Sequence, residues 1–251
     1  MKRLAATALV LGLASSTPAL ADVMQLNSFA YSGDSGMLFN LTAKNASGAL
    51  QTENNIPTGE LQGTLNGKSF LTYCVDLFQT FGWGTTYDDK LTTDQGKYSL
   101  VSAGTNLLPW FTAGKATDLG RLFTGYSAQV KDAASSAAFQ LATWAIISEN
   151  GSDAKNYAYS LDDSASGFKI AASNATDDEK GAIKSATTWL SGLPGYSSYS
   201  IQVEYSSKFQ DQVVASKVPE PAGYALAATA LGLLALSRRR QDVRPAPLKL
   251  A

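Results

Sequence analysis

Apolar and polar residues alternate in short runs through the first part of the chain, which is the pattern of β-strands. Such runs occupy 37–41, 59–65 and 69–78, and turn sequences rich in Gly, Asn, Asp and Ser separate them. The clearest turn is Leu65-Asn66-Gly67-Lys68, because Asn-Gly suits the type I′ turn of a two-residue hairpin. The pattern therefore predicts β-structure from about residue 22 to residue 87.

The middle of the chain changes to helical spacing. Between about 115 and 148 the apolar residues recur every three or four positions, and Gly125 and Ser135-Ser136 are expected to divide this stretch into two helices. A third helix is predicted to begin at the capping-box sequence Thr176-Asp177-Asp178-Glu179 and to end at Gly192-Leu193-Pro194-Gly195.

Two further β-prone runs, 199–205 and 212–218, follow the third helix and are predicted to be closing strands. The stretch 148–175 is rich in Ser, Asp and Asn and is predicted to be mostly a surface loop. Strands, then a helical block, then returning strands indicate an α+β fold with one core, formed by residues 22–217.

The N-terminal residues are typical of a secretory signal peptide. Lys2-Arg3 precedes a short apolar run at 4–13, and Ala19-Leu20-Ala21 supplies the small residues at which signal peptidase cleaves. The apolar run is too short to span a bilayer core. We therefore expect a signal peptide over 1–21 and a mature chain that begins at Asp22.

The C-terminal segment 218–251 has a second kind of export signal. Pro219, Glu220 and Pro221 precede an apolar stretch at 222–236, and the basic cluster that follows consists of Arg238, Arg239 and Arg240. As a helix the apolar stretch would be roughly 22 Å long, which is short for a full span, and the basic cluster favours the cytoplasmic side.

This arrangement closely resembles the PEP-CTERM sorting signal of bacteria that have an outer membrane. The resemblance implies that an exosortase processes the tail and that 222–236 anchors the chain in the inner membrane only transiently. The processed protein is then expected in the cell envelope or the extracellular matrix.

Charge and composition exclude several kinds of function. The two terminal segments carry seven of the 20 basic residues and two of the 21 acidic ones, so the region between them is acidic and nucleic acid is not expected as a partner. The chain has no His and a single Cys, Cys74, which excludes catalysis by Ser-His-Asp or Cys-His groups and zinc sites of the His/Cys kind. Cys74 is therefore a buried inert thiol, an intermolecular partner or a group with unusual chemistry.

A glutamine in the helical block suggests that unusual chemistry. Gln140 lies in an otherwise apolar run, where its amide would cost about 1–3 kcal/mol if buried without partners. A thiol held against a carboxamide can displace ammonia and form an internal thioester, and no His is needed if the pair is well oriented. Trp144, one helical turn later, is expected to cover Gln140. Asp76 is expected on the same strand face as Cys74, either orienting an incoming nucleophile or simply solvated.

Tyr73-Cys74-Val75 and Phe139-Gln140-Leu141-Ala142-Thr143-Trp144 together resemble the motifs of the bacterial thioester domain found in surface adhesins. The resemblance implies a β-sandwich or barrel lobe with an inserted helical lobe, and a thioester cross-link between Cys74 and Gln140. Tyr73, Asp76 and Trp144 are then the expected supporting pocket.

The leading expectation is a covalent adhesin, not an enzyme, that needs no cofactor and acylates amine or hydroxyl groups on a surface protein or polysaccharide. The first alternative is a non-reactive structural protein of an exopolysaccharide matrix. A hydrolase that uses carboxylates alone is the second. The acidic clusters Asp88-Asp89 and Asp177-Asp178-Glu179 lack the spacing of a Ca²⁺ loop, so no metal site is expected.

Overall fold

The computed structural model describes residues 22–31, 35–44, 49–87, 98–148, 159–163, 167–171 and 175–218. Over these ranges the fold is α+β, as the sequence predicts. The predicted signal peptide and the sorting motif at Pro219 to Arg240 lie outside the described residues, and so does Asp88-Asp89. Among the described residues, no helix has both the length and the apolar content needed to cross a bilayer.

The described ranges contain eleven strands and three α-helices. The strands are β1 Met24–Phe29, β2 Met37–Lys44, β3 Leu50–Thr58, β4 Leu61–Leu65, β5 Lys68–Thr72, β6 Thr86–Tyr87, β7 Ser99–Ser102, β8 Asp162–Asp163, β9 Phe168–Ile170, β10 Tyr199–Tyr205 and β11 Gln212–Lys217. The helices are α1 Ala113–Tyr126, α2 Ala133–Ser148 and α3 Asp177–Ser191, and a short 3₁₀ turn, Ser127–Gln129, follows α1.

The strands form three sheets, and every pairing within them is antiparallel. The first sheet has the order β5-β4-β1-β6, the second β11-β10-β7, and the third β3-β2-β9-β8. The second sheet therefore joins the chain's last two strands to β7, which precedes all three helices.

The hairpin between β4 and β5 confirms the turn prediction. Leu65 pairs with Lys68, and the two residues between them have positive φ values, 53° for Asn66 and 74° for Gly67. Positive φ at both central positions defines the type I′ turn, which Asn and Gly adopt at low cost. The turn sets the register of the strand that leads to Cys74.

The third helix begins as predicted, with a complete capping box. The Thr176 hydroxyl accepts from the Glu179 N–H at 3.3 Å, and the Glu179 carboxylate accepts from the Thr176 N–H at 2.7 Å. The predicted division into two helices is confirmed, because α1 ends at Tyr126 and α2 begins at Ala133, so the break lies between Gly125 and Ser135. Gly125 lies in the last turn of α1 and Ser135-Ser136 in the first turn of α2, where Ser135 and Asp132 exchange hydrogen bonds that stabilise the helix start.

The prediction of a surface loop over 148–175 is wrong in part. Phe168 and Ile170 are buried, and β9 pairs with β2 through Ala43↔Phe168 and Leu41↔Ile170. A three-residue strand is too short to show a period in the sequence, so its position becomes visible only from its pairing with β2.

Helix α2 is the central element of the core. Twelve of its sixteen residues are buried, which is why its apolar residues cover the whole circumference instead of one stripe. The helix packs on α3 and α1 and against the third sheet. Its position places Gln140 at the junction of the first and second sheets, where Cys74 lies.

Candidate functional site

Cys74 lies where the first sheet meets the second. The predicted strand at 69–78 is regular only to Thr72, and Cys74 then forms an isolated antiparallel bridge to Gln212. Two backbone hydrogen bonds flank the bridge, from Val75 N to the Asp211 carbonyl at 3.0 Å and from Val213 N to the Tyr73 carbonyl at 2.9 Å. The bridge fixes the cysteine opposite the start of the last strand.

The thiol of Cys74 faces two glutamines. Gln212 begins the last strand, β11, and Gln210 lies in the loop before it. Its Sγ atom donates to Oε1 of Gln210 at 2.9 Å, and Nε2 of Gln212 lies 3.8 Å from the same sulfur. Because a carboxamide C=O bond is about 1.2 Å long, the Gln210 Cδ carbon lies within about 4 Å of the sulfur. Gln210 Nε2 donates to the Asp76 carbonyl at 2.7 Å, which fixes the plane of the amide.

Gln140 also meets Cys74, but at its backbone. The Oε1 atom of Gln140 accepts from the Cys74 N–H at 2.9 Å, and its Nε2 donates to the Cys74 carbonyl at 2.7 Å. The side chain is 1% exposed, and both of its polar atoms are hydrogen-bonded. It pairs with the Cys74 backbone much as a neighbouring strand would. The structure brings the two predicted residues together, while the side chain that contacts the sulfur is that of Gln210.

The predicted supporting residues Tyr73 and Trp144 are buried beside this pair. Tyr73 stacks on Phe139 with ring centroids 4.5 Å apart, and its hydroxyl is hydrogen-bonded to Glu60. Trp144 lies one turn after Gln140 on α2 and is 1% exposed, and its indole Nε1 has no hydrogen-bond partner among the described residues. Both rings belong to the buried core around α2.

Asp76 has a local structural role. Its Oδ1 accepts from the Phe78 N–H at 2.8 Å, which closes a turn immediately after the Cys74 segment. Burial raises the pKa of this carboxyl, and the N–H groups of Phe78 and Gln79 oppose the rise. Its negative charge also contributes to the raised pKa of Cys74.

Burial keeps the Cys74 thiol protonated. It raises the pKa of Cys74 to about 12, against a smaller opposing effect of the Gln212 amide. A thiolate is therefore disfavoured, and reaction at this sulfur must pass its proton to a neighbouring group. The hydrogen bond to Gln210 directs that proton at the Gln210 carboxamide oxygen.

The loop that carries Gln210 is held by its own side chains. Asp211 Oδ1 accepts from the Ser206 N–H at 2.7 Å, and the Ser206 hydroxyl accepts from Lys208 N and Phe209 N. The Tyr98 hydroxyl donates to the Gln210 carbonyl at 2.9 Å. These bonds fix the backbone on both sides of Gln210.

Asp211→Asn should flatten part of the pH dependence of folding. Burial raises the pKa of Asp211 from 3.8 to about 7. The folded protein therefore holds this proton more tightly than the unfolded chain. The stability it contributes is complete below pH 3.8 and is lost as the pH rises through about 7. The asparagine retains the Ser206 contact but cannot ionise.

The measurement is the free energy of unfolding from about pH 4 to about pH 8 for both chains. Asp162→Asn, which removes an exposed carboxylate, is the control and should keep the wild-type profile. Superimposable profiles for Asp211→Asn and the wild type would contradict the prediction.

Sequence reasoning missed Gln210 and Gln212 because they lie in a polar segment just before and at the start of a strand. Two glutamines two residues apart point to the same side of an extended chain. That spacing was visible, but its meaning depends on knowing that this strand pairs with the Cys74 segment.

Asp177-Asp178-Glu179 is the first turn of α3, and within the described ranges no three Cys, Asp or Glu side chains converge as a metal site.

No family model, curated protein or solved structure matches the chain. The fold is that of an α+β domain, and its buried cysteine is contacted by three glutamines.

Proposed function

We propose that this protein is an exported adhesin whose Cys74 thiol forms an internal thioester with a glutamine, and that the acyl donor is Gln210. The observation that supports it is the 2.9 Å contact between Cys74 Sγ and Gln210 Oε1 in a buried, hydrogen-bonded pair. The geometry favours Gln210 over Gln140, whose amide bonds the backbone of Cys74 on both sides.

The thioester forms by attack of Cys74 Sγ on Cδ of Gln210. A C–S bond forms, the thiol proton passes to Nε2, and the C–N bond breaks to release ammonia. The hydrogen bond from Nε2 to the Asp76 carbonyl orients the leaving nitrogen away from the sulfur. Fixed orientation of this kind replaces a catalytic base by raising the effective concentration of the reacting pair.

Opening of the thioester transfers the acyl group to a partner. An amine or hydroxyl attacks Cδ of Gln210, the C–S bond breaks, and the proton of the nucleophile restores the Cys74 thiol. The Gln210 carbonyl then remains joined to the partner as an amide or ester. Because Cys74 is only 7% exposed, bulk water has limited access to the bond, which preserves it until a partner docks.

The experiment is an intact mass of the exported protein before and after treatment with methylamine, together with thiol titration. We expect a mass one ammonia below that of the sequence and no titratable thiol. After treatment the mass should rise by one methylamine and one thiol should appear. A mass equal to the sequence, with a thiol that titrates after unfolding in both samples, would reject the thioester.

The second candidate is a non-reactive matrix protein that binds polysaccharide. The observation in its favour is a set of exposed aromatic rings, with Tyr196 68% and Trp83 41% exposed. Trp83 is held edge-on by Phe29 and Phe81, which presents its ring as a fixed surface for a sugar. The mass experiment separates the two candidates. Export and sorting by an exosortase belong to both proposals and rest on the terminal sequences.

A further inference from the structure

A second buried polar cluster lies on the other side of Gln212 and centres on Glu204. Ser200 of β10 is exposed and Gln202 is half-buried, but Glu204, on the same face of this strand, is fully buried. Neither oxygen of its carboxyl accepts a hydrogen bond from a described residue. Glu204 pairs directly with Gln212, whose Oε1 atom is also buried and has no donor in the part of the chain that the structure describes.

The segment at Asp22 lies beside this carboxyl. Asp22 forms an antiparallel bridge to Tyr98, one residue before β7, and β7 is the strand that pairs with Glu204. When Glu204 is protonated it donates a hydrogen bond to the Asp22 carboxylate, and burial together with this neighbour raises the pKa of Glu204 to about 8. Once ionised, the Glu204 carboxylate has no donor among the described residues. Tyr98 is a further titratable group that interacts with Glu204. Among the described residues, no Lys or Arg forms an ion pair with it.

Asn66 holds the chain firmly at this point. Its Nδ2 donates to the Asp22 carboxylate at 2.5 Å, its Oδ1 accepts from the Val23 N–H at 2.9 Å, and its own N–H donates to the Val23 carbonyl at 2.8 Å. The first residue of the predicted mature chain is therefore fixed in place, with its carboxyl beside that of Glu204.

We infer that cleavage after Ala21 creates the missing partner: the new α-ammonium group of Asp22 binds the Glu204 carboxylate and completes the fold. An ammonium group has three N–H donors and one positive charge, and the cluster offers two carboxyls and the Gln212 amide oxygen, which has no donor among the described residues. Hydrolysis of the peptide bond supplies both the charge and the donors. The inference rests on the predicted cleavage site and is independent of the thioester.

The chemistry predicts a difference between mature and extended chains. Without the ammonium group, Glu204 keeps its raised pKa, so the stability present at acid pH is lost as the pH rises through about 8. With the ammonium group the carboxylate is paired, its pKa falls, and that loss is reduced. The α-amino group should in turn titrate above its usual value of about 8.

The test inserts Gly-Ser between Ala21 and Asp22, so that export leaves two extra residues before Asp22. At about pH 8 we expect the folded-to-unfolded ratio to fall roughly tenfold or more relative to the mature protein. In the Glu204→Gln background, the same insertion should have little effect. Equal effects in the two backgrounds would overturn the inference.

Two measurements need no variant other than Glu204→Gln. The mass of the exported protein must show a chain that begins at Asp22, and a different start would overturn the inference. The pKa of the α-amino group, followed by NMR after isotopic methylation, should exceed its usual value in the wild type and return to it in Glu204→Gln. Methylamine labelling of the same samples reports the thioester separately, so that failure of either proposal is distinguishable.

Discussion

Gln210→Glu is expected to abolish the thioester completely, leaving Cys74 as a free thiol and the protein unable to incorporate methylamine. Glutamate has nearly the same shape as glutamine, but its carboxyl cannot expel ammonia. An ionised carboxylate next to Cys74 Sγ also resists attack at Cδ and raises the thiol pKa further. The change therefore removes the reaction while retaining the side chain's volume.

The wild-type protein locates the acyl donor directly. After methylamine treatment and proteolysis, fragmentation should place the methylamide on Gln210, in the peptide that also contains Gln212. A label on Gln140 would overturn the assignment to Gln210 and restore the pair predicted from the sequence. A variant of an exposed residue, Gln62→Glu, should leave both mass and labelling unchanged, which controls for a general effect of added charge.

The second large effect is expected on stability, from Gln140→Ala. The substitution removes two hydrogen bonds and leaves the buried N–H and C=O groups of Cys74 without partners. Each unsatisfied group costs about 1–3 kcal/mol, so we expect a loss of about 3–5 kcal/mol in the free energy of unfolding. Denaturant titration, with both proteins pretreated with methylamine so that the cross-link is absent, provides the measurement.

Thr143→Ala is the matched control on the same helix. Thr143 is fully buried, and among the described residues its hydroxyl bonds to the Phe139 carbonyl of its own helix alone. Its loss is expected to cost about 1 kcal/mol. If Gln140→Ala lowers the free energy of unfolding no more than Thr143→Ala does, the amide of Gln140 does not stabilise the buried backbone of Cys74.

Together these two results would separate the acyl donor, Gln210, from the residue that pairs with the buried Cys74 backbone, Gln140. The sequence alone predicted Gln140 as the acyl donor. Gln140 stands out in the sequence because it interrupts an apolar run, and the structure explains that position by its contact with buried backbone groups. Gln210 lies in Lys208-Phe209-Gln210-Asp211, where a glutamine needs no explanation. A search for unusual residues therefore finds the glutamine that is costly to bury, which is not the one at the sulfur.

Local chemistry explains why some elements could be predicted. The Asn66-Gly67 turn and the Thr176 capping box are determined by interactions within four residues, and both occur where the sequence indicates. The division between α1 and α2 is local as well, because Ser135 acts as a capping partner of Asp132 at the start of α2. The short strand β9 has no such local signal.

By itself, the sequence determined the α+β class, the principal turns and helix starts, and the presence of a single thiol without histidine. These depend on periodicity, composition and neighbouring residues. Only the tertiary structure decided which glutamine faces Cys74, and that Glu204 is buried beside Asp22. Both depend on antiparallel pairing between segments more than a hundred residues apart, Cys74 with Gln212 and β10 with β7. The sequence pattern of a strand does not show which distant segment it pairs with, so the contacts that follow from such a pairing are seen only in the folded chain.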